Sequence, residues 1–281
     1  MAAKKFAKYA LTFGVGAFSG QFLALAAFKD EFGALKDIIS PPTFANLEIK
    51  TPPNPRKFEW GPVTSWDYNW DKRDVVGTEQ VPAEVKSTRH LILIRHGQYN
   101  LKGKSDEERY LTDLGREQAL LTGKRLAELN LPWTYLVSSN MTRAQQTAGL
   151  IQQSLPEDLE ILDNDSILAE GAPYPPEPPS PRWSPEERYQ TDGARIEAAF
   201  RKYFHRADPE QKEDSYEVIV CHANVIRYFV CRALQLPPEA WLRISLKHAS
   251  MTFVSIRPNG KVSVRGLGDA GHFPPEKLTT T

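Results

Sequence analysis

Hydrophobic positions along this 281-residue chain change their spacing twice, dividing it into three stretches. From Tyr9 to Phe28 the run YALTFGVGAFSGQFLALAAF holds twenty residues without a charge. As a helix it would be about 30 Å long, the thickness of a bilayer core. Between Phe28 and Arg89 the periodicity is lost and Pro, Asn and Thr accumulate, which predicts an extended linker over 29–88. From Arg89 short apolar runs alternate with helical spacing, predicting an α/β domain over 89–281. His90–Ile94, Thr134–Val137 and Glu217–Cys221 are continuous runs of the kind buried on both faces, so the expected sheet is mostly parallel. A helix is expected over Asp113–Asn130, N-capped by Thr112, with Ala119, Gly123 and Leu126 on one stripe. A second starts near Thr142 with Ala144, Ala148, Ile151 and Leu155 in line. Ile196, Phe200 and Tyr203 mark a third, and another follows from Val225. Met251–Ile256, Pro258-Asn259-Gly260 and Lys261–Arg265 predict an antiparallel hairpin, Asn-Gly supplying the positive-φ turn residues.

Charge and composition narrow the reading. Lys4, Lys5 and Lys8 put the positive flank N-terminal to the apolar span, as for a membrane anchor. The rival is a cleaved secretory leader with Ala24-Leu25-Ala26 as its small-residue site, but the apolar run exceeds the usual leader core of about 7 to 15 residues. Thirty-five basic side chains balance thirty-five acidic ones, so no long-range field favours DNA or RNA, and no nucleic-acid partner is expected. Cys221 and Cys231 fit neither a disulfide framework nor a zinc site, and no metal is expected. Thirteen of the 22 prolines fall in two clusters, Pro41–Pro62 and Pro173–Pro185, marking irregular segments. Within the linker, Trp66-Asp67-Tyr68-Asn69-Trp70-Asp71 sets three aromatics in a polar stretch. Such residues fold back on their own domain or dock on another subunit, since Trp and Tyr bury large areas at low entropic cost.

Ligands of α/β sheets sit beyond the carboxyl ends of strands, and two of the predicted strands end in chemistry. The first exits into Arg95-His96-Gly97 and another, EVIVC, into His222 and Asn224. The strand TYLVSS leads through Ser138-Ser139 to Arg143 at the start of a helix, where free N–H groups favour an anion. A cation–anion contact at about 4 Å and a dielectric near 20 is of order 4 kcal/mol before desolvation, so two arginines and two histidines favour a phosphoryl dianion over a neutral ligand.

Those residues, with Leu111-Thr112-x-x-Gly115, Glu170-Gly171 and Cys221-His222-Ala223-Asn224, resemble the histidine phosphatase, or phosphoglycerate mutase-like, superfamily. The resemblance implies a three-layer sandwich around a mostly parallel sheet. It makes His96 the nucleophile that becomes phosphohistidine, Glu170 the acid/base, and Arg95, Arg143 and a protonated His222 the clamp on the equatorial oxygens, with no cofactor. The span, the hexapeptide and DGARIEAAF are similar to the superfamily's mitochondrial, membrane-anchored serine/threonine protein phosphatases. That likeness implies a single-pass anchor over 1–28, in the outer mitochondrial membrane ahead of the inner. It also implies a homo-oligomer built through Trp66, Asp67, Asn69, Trp70 and Asp71. The implied substrates are phosphoproteins, including a MAP kinase kinase kinase of the apoptosis-signal-regulating type, with roles in kinase signalling and mitochondrial homeostasis. Tyr99 and Lys102 stand where the superfamily usually has a small hydroxyl residue and an Asn, and the segment after Glu170 is Pro173–Pro185 instead of the long insertion of cofactor-dependent mutases. Hydrolysis is therefore expected over mutase activity, the alternatives being a phosphoglycerate mutase or a non-catalytic mitochondrial scaffold.

Overall fold

The computed structural model describes residues 65–74, 85–180 and 186–280, all within one compact unit, Thr64–Thr281. The expected span at 9–28 lies outside the described residues. No helix among the described residues is long and apolar enough to cross a membrane.

Among the described residues, six strands and four α-helices follow in chain order: β1 (Arg89–Arg95), α1 (Asp113–Leu129), β2 (Tyr135–Ser138), α2 (Thr142–Gln152), β3 (Glu160–Ile161), α3 (Glu186–Tyr203), β4 (Ser215–Cys221), α4 (Ala223–Ala233), β5 (Met251–Ile256) and β6 (Val262–Asp269). They form one six-stranded sheet of order β3-β2-β4-β1-β5-β6. The first four strands run parallel, while β5 and β6 are antiparallel to their neighbours, so the sheet is mixed. A hairpin at the end of the domain was expected; the structure shows in addition that its first strand lies directly against β1.

Strand alternation builds the layers. Leu91 and Leu93 face a core with Ile196 and Phe200 of α3 and Val225 and Phe229 of α4. Ile92 and Ile94 face a second core with Leu126 of α1 and Ala144, Ala148 and Ile151 of α2. Helices thus cover both faces, which is why β1 and β4 read as unbroken apolar runs. Thr112 caps α1 by accepting from the Gly115 amide, and Asn130 closes it with a left-handed backbone (φ 47°).

The register aligns the two strand exits. Arg95 is paired with Cys221 across β1 and β4, so His96 and His222 leave the sheet side by side. Both cysteines are buried thiols.

Candidate active site

The strand-end residues converge as expected. His96 and His222 lie with ring centroids 5.2 Å apart, and Arg95, His96, Arg143 and His222 are each at most 8% exposed. The His96 Nδ1–H donates to the Gly97 carbonyl at 2.8 Å. This fixes the tautomer and leaves the Nε2 lone pair free to accept, as it does from Arg143 Nε–H at 3.2 Å. Burial, then His222 and the arginines, hold the His96 pKa well below its usual value, so the imidazole is neutral and nucleophilic at physiological pH.

Backbone fit at the strand exit is tight. A Cβ on Gly97 would come within 2.4 Å of the Gly115 carbonyl oxygen, and one on Gly115 within 1.9 Å of that of Gln98. The two glycines let the turn after β1 lie flat on the start of α1. Thr147 of α2 accepts from the Gly97 amide at 3.0 Å and donates to the Arg143 carbonyl at 2.7 Å, tying the nucleophile's turn to the arginine's helix.

Arg143 sits in the first turn of α2, whose N-cap residue Met141 contributes no side-chain cap. Asp106, from the loop after β1, takes over that role. Its carboxylate accepts from the Thr142 amide at 2.8 Å and hydroxyl at 2.9 Å, and it faces Arg143 at 3.4 Å. The Arg143 guanidinium also stacks 4.8 Å over the Tyr99 ring, which meets His96 edge-on at 5.0 Å. Tyr99 therefore shapes the pocket wall, whereas Lys102 is exposed on the following loop.

Arg95 is held from behind. Its Nη1 donates to the carbonyls of Leu246 at 2.7 Å and Thr280 at 2.9 Å, and its Nη2 to His248 Nε2 at 3.0 Å, while its buried Nε has no partner. Burial brings the Arg95 pKa down to about 10, still a full cation at neutral pH. His248 in turn donates through Nδ1–H to the Thr279 hydroxyl at 2.8 Å. Burial and Arg95 push its pKa down to about 3, so it is a neutral acceptor. Sequence reasoning did not single out His248, Asp106 or the 277–280 segment.

His222 departs from expectation in its charge. Its Nε2 meets the Ser139 hydroxyl at 2.9 Å and its Nδ1 is buried without a partner. Burial, followed by Arg143 and Arg95, lowers its pKa well below the usual value, so it is neutral and not the protonated clamp expected. Two nearby guanidinium groups make a third positive charge unfavourable here. As a neutral ring accepting from Ser139, it still has Nδ1–H to donate to an oxyanion.

Glu170 comes from the loop after the 3-10 turn Ser166–Leu168. It is partly exposed, and one carboxylate oxygen accepts from the Gly171 amide at 3.1 Å. Desolvation raises its pKa against the opposing pull of that amide and of Arg143 and Arg95, the direction an acid/base needs. Asn224, unassigned from sequence, donates to the Gly171 carbonyl at 3.0 Å. The described part of the Pro-rich segment is pinned by Trp241 Nε1–H to the Tyr174 carbonyl at 2.8 Å and Arg243 Nε–H to the Glu177 carbonyl at 2.8 Å. No group of three or more His, Cys, Asp or Glu among the described residues could hold a metal ion.

The hexapeptide lies on its own domain, one of the two readings left open by sequence. Trp66 and Trp70 both donate through Nε1 to the Gly260 carbonyl, at 3.3 and 2.8 Å. The Gly260 turn has φ 78°, and a Cβ there would come within 2.3 Å of the Tyr68 carbonyl oxygen. Asp67 pairs its backbone with the Gln235 amide, and Asn69 accepts from Arg206 at 3.3 Å. Asp71, its side chain 1% exposed, makes a bidentate pair with Arg206. Tyr68 points outward, 51% exposed.

Comparison with known proteins agrees with this geometry. Residues 91–170 and 169–267 match the model described as the histidine phosphatase superfamily, branch 1. The chain is 53% identical over 233 residues to the Xenopus laevis serine/threonine-protein phosphatase PGAM5, mitochondrial, covering 77% of this chain and 84% of that one. It is 51% identical over 232 residues to the Homo sapiens protein of the same name, covering 76% and 80%. Among solved structures, Bacillus stearothermophilus YhfR shares the fold, with a TM-score of 0.51 at 20% identity over 66% of this chain and 98% of that one.

Proposed function

Because the chain belongs to branch 1 of the histidine phosphatase superfamily, we propose that its pocket hydrolyses phosphoserine and phosphothreonine in proteins through a phosphohistidine on His96. It is a mitochondrial serine/threonine-protein phosphatase, as its relatives are named. The observation that carries the mechanism is the His96 ring, its Nδ1 proton committed to Gly97 and its Nε2 lone pair facing a buried guanidinium.

In the first step His96 Nε2 attacks phosphorus and the bond to the serine or threonine oxygen breaks. Arg143 Nε–H turns from Nε2 to a phosphoryl oxygen, and Arg95 and His222 Nδ1–H hold the others, so donors already in place meet the developing charge. Glu170, whose acid form burial favours, gives its proton to the departing alkoxide. In the second step the carboxylate takes a proton from water, which attacks phosphorus and releases inorganic phosphate, restoring neutral His96.

The span at 9–28 serves, on this reading, as a single-pass anchor in the outer mitochondrial membrane. Its uncharged length and basic N-terminal flank support this. The homo-oligomer is supported by the docking of the hexapeptide. The groove formed by Arg206, Gln235 and Gly260 exists on every copy, so exchanging the hexapeptide between copies would assemble subunits without any new surface. The kinase-kinase-kinase partner rests on family likeness.

The test is to mix the full chain with a radiolabelled phosphoserine peptide in chelator, quench, and map protein-bound phosphate. Acid-labile, base-stable label on His96 is expected, and His96→Ala should lose at least about 10³-fold in turnover. Label elsewhere, or near wild-type turnover by His96→Ala, would overturn the mechanism.

A further inference from the structure

The four oxyanion and nucleophile residues stand on strand ends or the first turn of a helix, but Glu170 stands on irregular backbone. Something else must fix it. The 167–172 loop is gripped from α3 by one ion pair. Arg195 Nη1 donates to the carbonyls of Ile167 at 3.0 Å and Ala169 at 2.6 Å, and its Nη2 donates to that of Glu170 itself at 3.2 Å. Asp192, one turn earlier, accepts from Arg195 at 3.1 Å and from the Ala172 amide at 3.0 Å. Asn224 holds the Gly171 carbonyl from the other side. The fit leaves no room for adjustment: a Cβ on Gly171 would lie 2.6 Å from both the Asp192 carboxyl carbon and the Arg195 guanidinium.

We infer that Arg195, locked by Asp192, is a positioning residue that aims the Glu170 carboxyl at the leaving oxygen. This deepens the proposed function and rests on Glu170 being its acid/base. A guanidinium suits the task because its rigid fork reaches several carbonyls at once, whereas an ammonium is a point donor on a flexible stem. Three carbonyls that no α-helix or strand ladder satisfies would otherwise turn toward water, and the Glu170 backbone would turn with them. Arg195 makes no hydrogen bond to the nucleophile or the clamp, and although its charge is felt at His222, a lysine keeps that charge while losing the fork, so Arg195→Lys acts mainly on proton donation.

Leaving-group dependence isolates that effect. A serine alkoxide needs a proton to depart, whereas 4-nitrophenolate leaves as a stable anion. With the full chain, Arg195→Lys should lower kcat/KM on a phosphoserine peptide at least about tenfold more than on 4-nitrophenyl phosphate, a partial loss of the roughly 10²- to 10⁴-fold that a general acid contributes. Glu170→Gln should show the same selectivity more strongly. Asp192→Asn, which loosens the arginine without removing it, should show it more weakly and serves if Arg195→Lys does not fold. Equal losses on both esters, or none, in a folded Arg195→Lys while Glu170→Gln stays selective would overturn the positioning role. Loss of selectivity in Glu170→Gln as well would instead strike the acid/base assignment on which it rests.

Discussion

Replacing Arg143 by Met separates two jobs that the structure gives to one guanidinium. Methionine is unbranched and fills the space of the arginine stem, so the core around α2 keeps its packing. The charge is removed from a position only 3% exposed, 3.2 Å from the nucleophilic nitrogen. A phosphoryl contact at about 4 Å and a dielectric near 20 amounts to about 4 kcal/mol before desolvation, and deletion of one preorganised oxyanion donor elsewhere costs about 2.7 to 4 kcal/mol. kcat/KM on a phosphoserine peptide should therefore fall about 10²- to 10³-fold. The second effect is on pH. Burial, His222, Arg143 and Arg95 together depress the His96 pKa, so removing one cation lets it rise, while burial and Arg95 keep it below its usual value. The acid limb of the kcat/KM profile, which reports the free enzyme, should move to higher pH. Steady-state kinetics from pH 4 to 8 with matched thermal denaturation would measure both. A folded variant whose rate stays within about threefold of wild type, or whose acid limb is unmoved or moves downward, would refute this placement of Arg143.

Two further outcomes are expected. Asp71→Ala removes the bidentate partner of the mostly buried Arg206 but leaves it Asp74 at 2.7 Å, a loss of about 1.5 to 3 kcal/mol, which for a domain of this size lowers Tm by about 3 to 12 °C. Although burial opposes it, the Arg206 hydrogen bonds hold the Asp71 carboxyl below the usual range. Its stabilisation is therefore complete above about pH 4 and lost as pH falls through the lower folded value. A shift independent of protein concentration would mark docking within one chain, and a concentration-dependent one docking between copies. His248→Leu removes the acceptor behind Arg95 and should weaken competitive inhibition by inorganic phosphate about tenfold or more, with His248→Gln recovering most of it.

The strands that carry the site were readable because burial on both faces forces continuous apolar runs, and a histidine directly after such a run has one place to go. Thr112 was readable as a cap for an equally local reason. β3, two exposed residues long, carries no pattern to find. The supporting residues were hidden for a different cause. His248 reaches Arg95 only because β5 lies antiparallel to β1, with Ile94 opposite Met251, and nothing in the spacing of a terminal hairpin reveals which strand it will join. Asp106 stands on a loop, where side-chain direction follows from long-range packing instead of from a period of two or 3.6, while Arg195 and Asn224 stand on α3 and α4 but hold loop carbonyls whose path no period predicts. His222 was misjudged in charge because its burial beside two arginines is a property of the assembled pocket.

The pairing of Arg95 with Cys221 has a consequence for how the gene can change. A codon inserted within β1 or β4 would carry one imidazole a step along the strand and turn it to the opposite face of the sheet. The reading frame would survive, but the two rings would no longer share a cavity. The connecting segments do not set that stagger, but those that build the pocket, the 97–115 turn and the 167–172 loop, are as closely fitted as the strands. Length variation is therefore forbidden within the two strands that deliver the histidines and within those two segments, and is left to connections that touch neither.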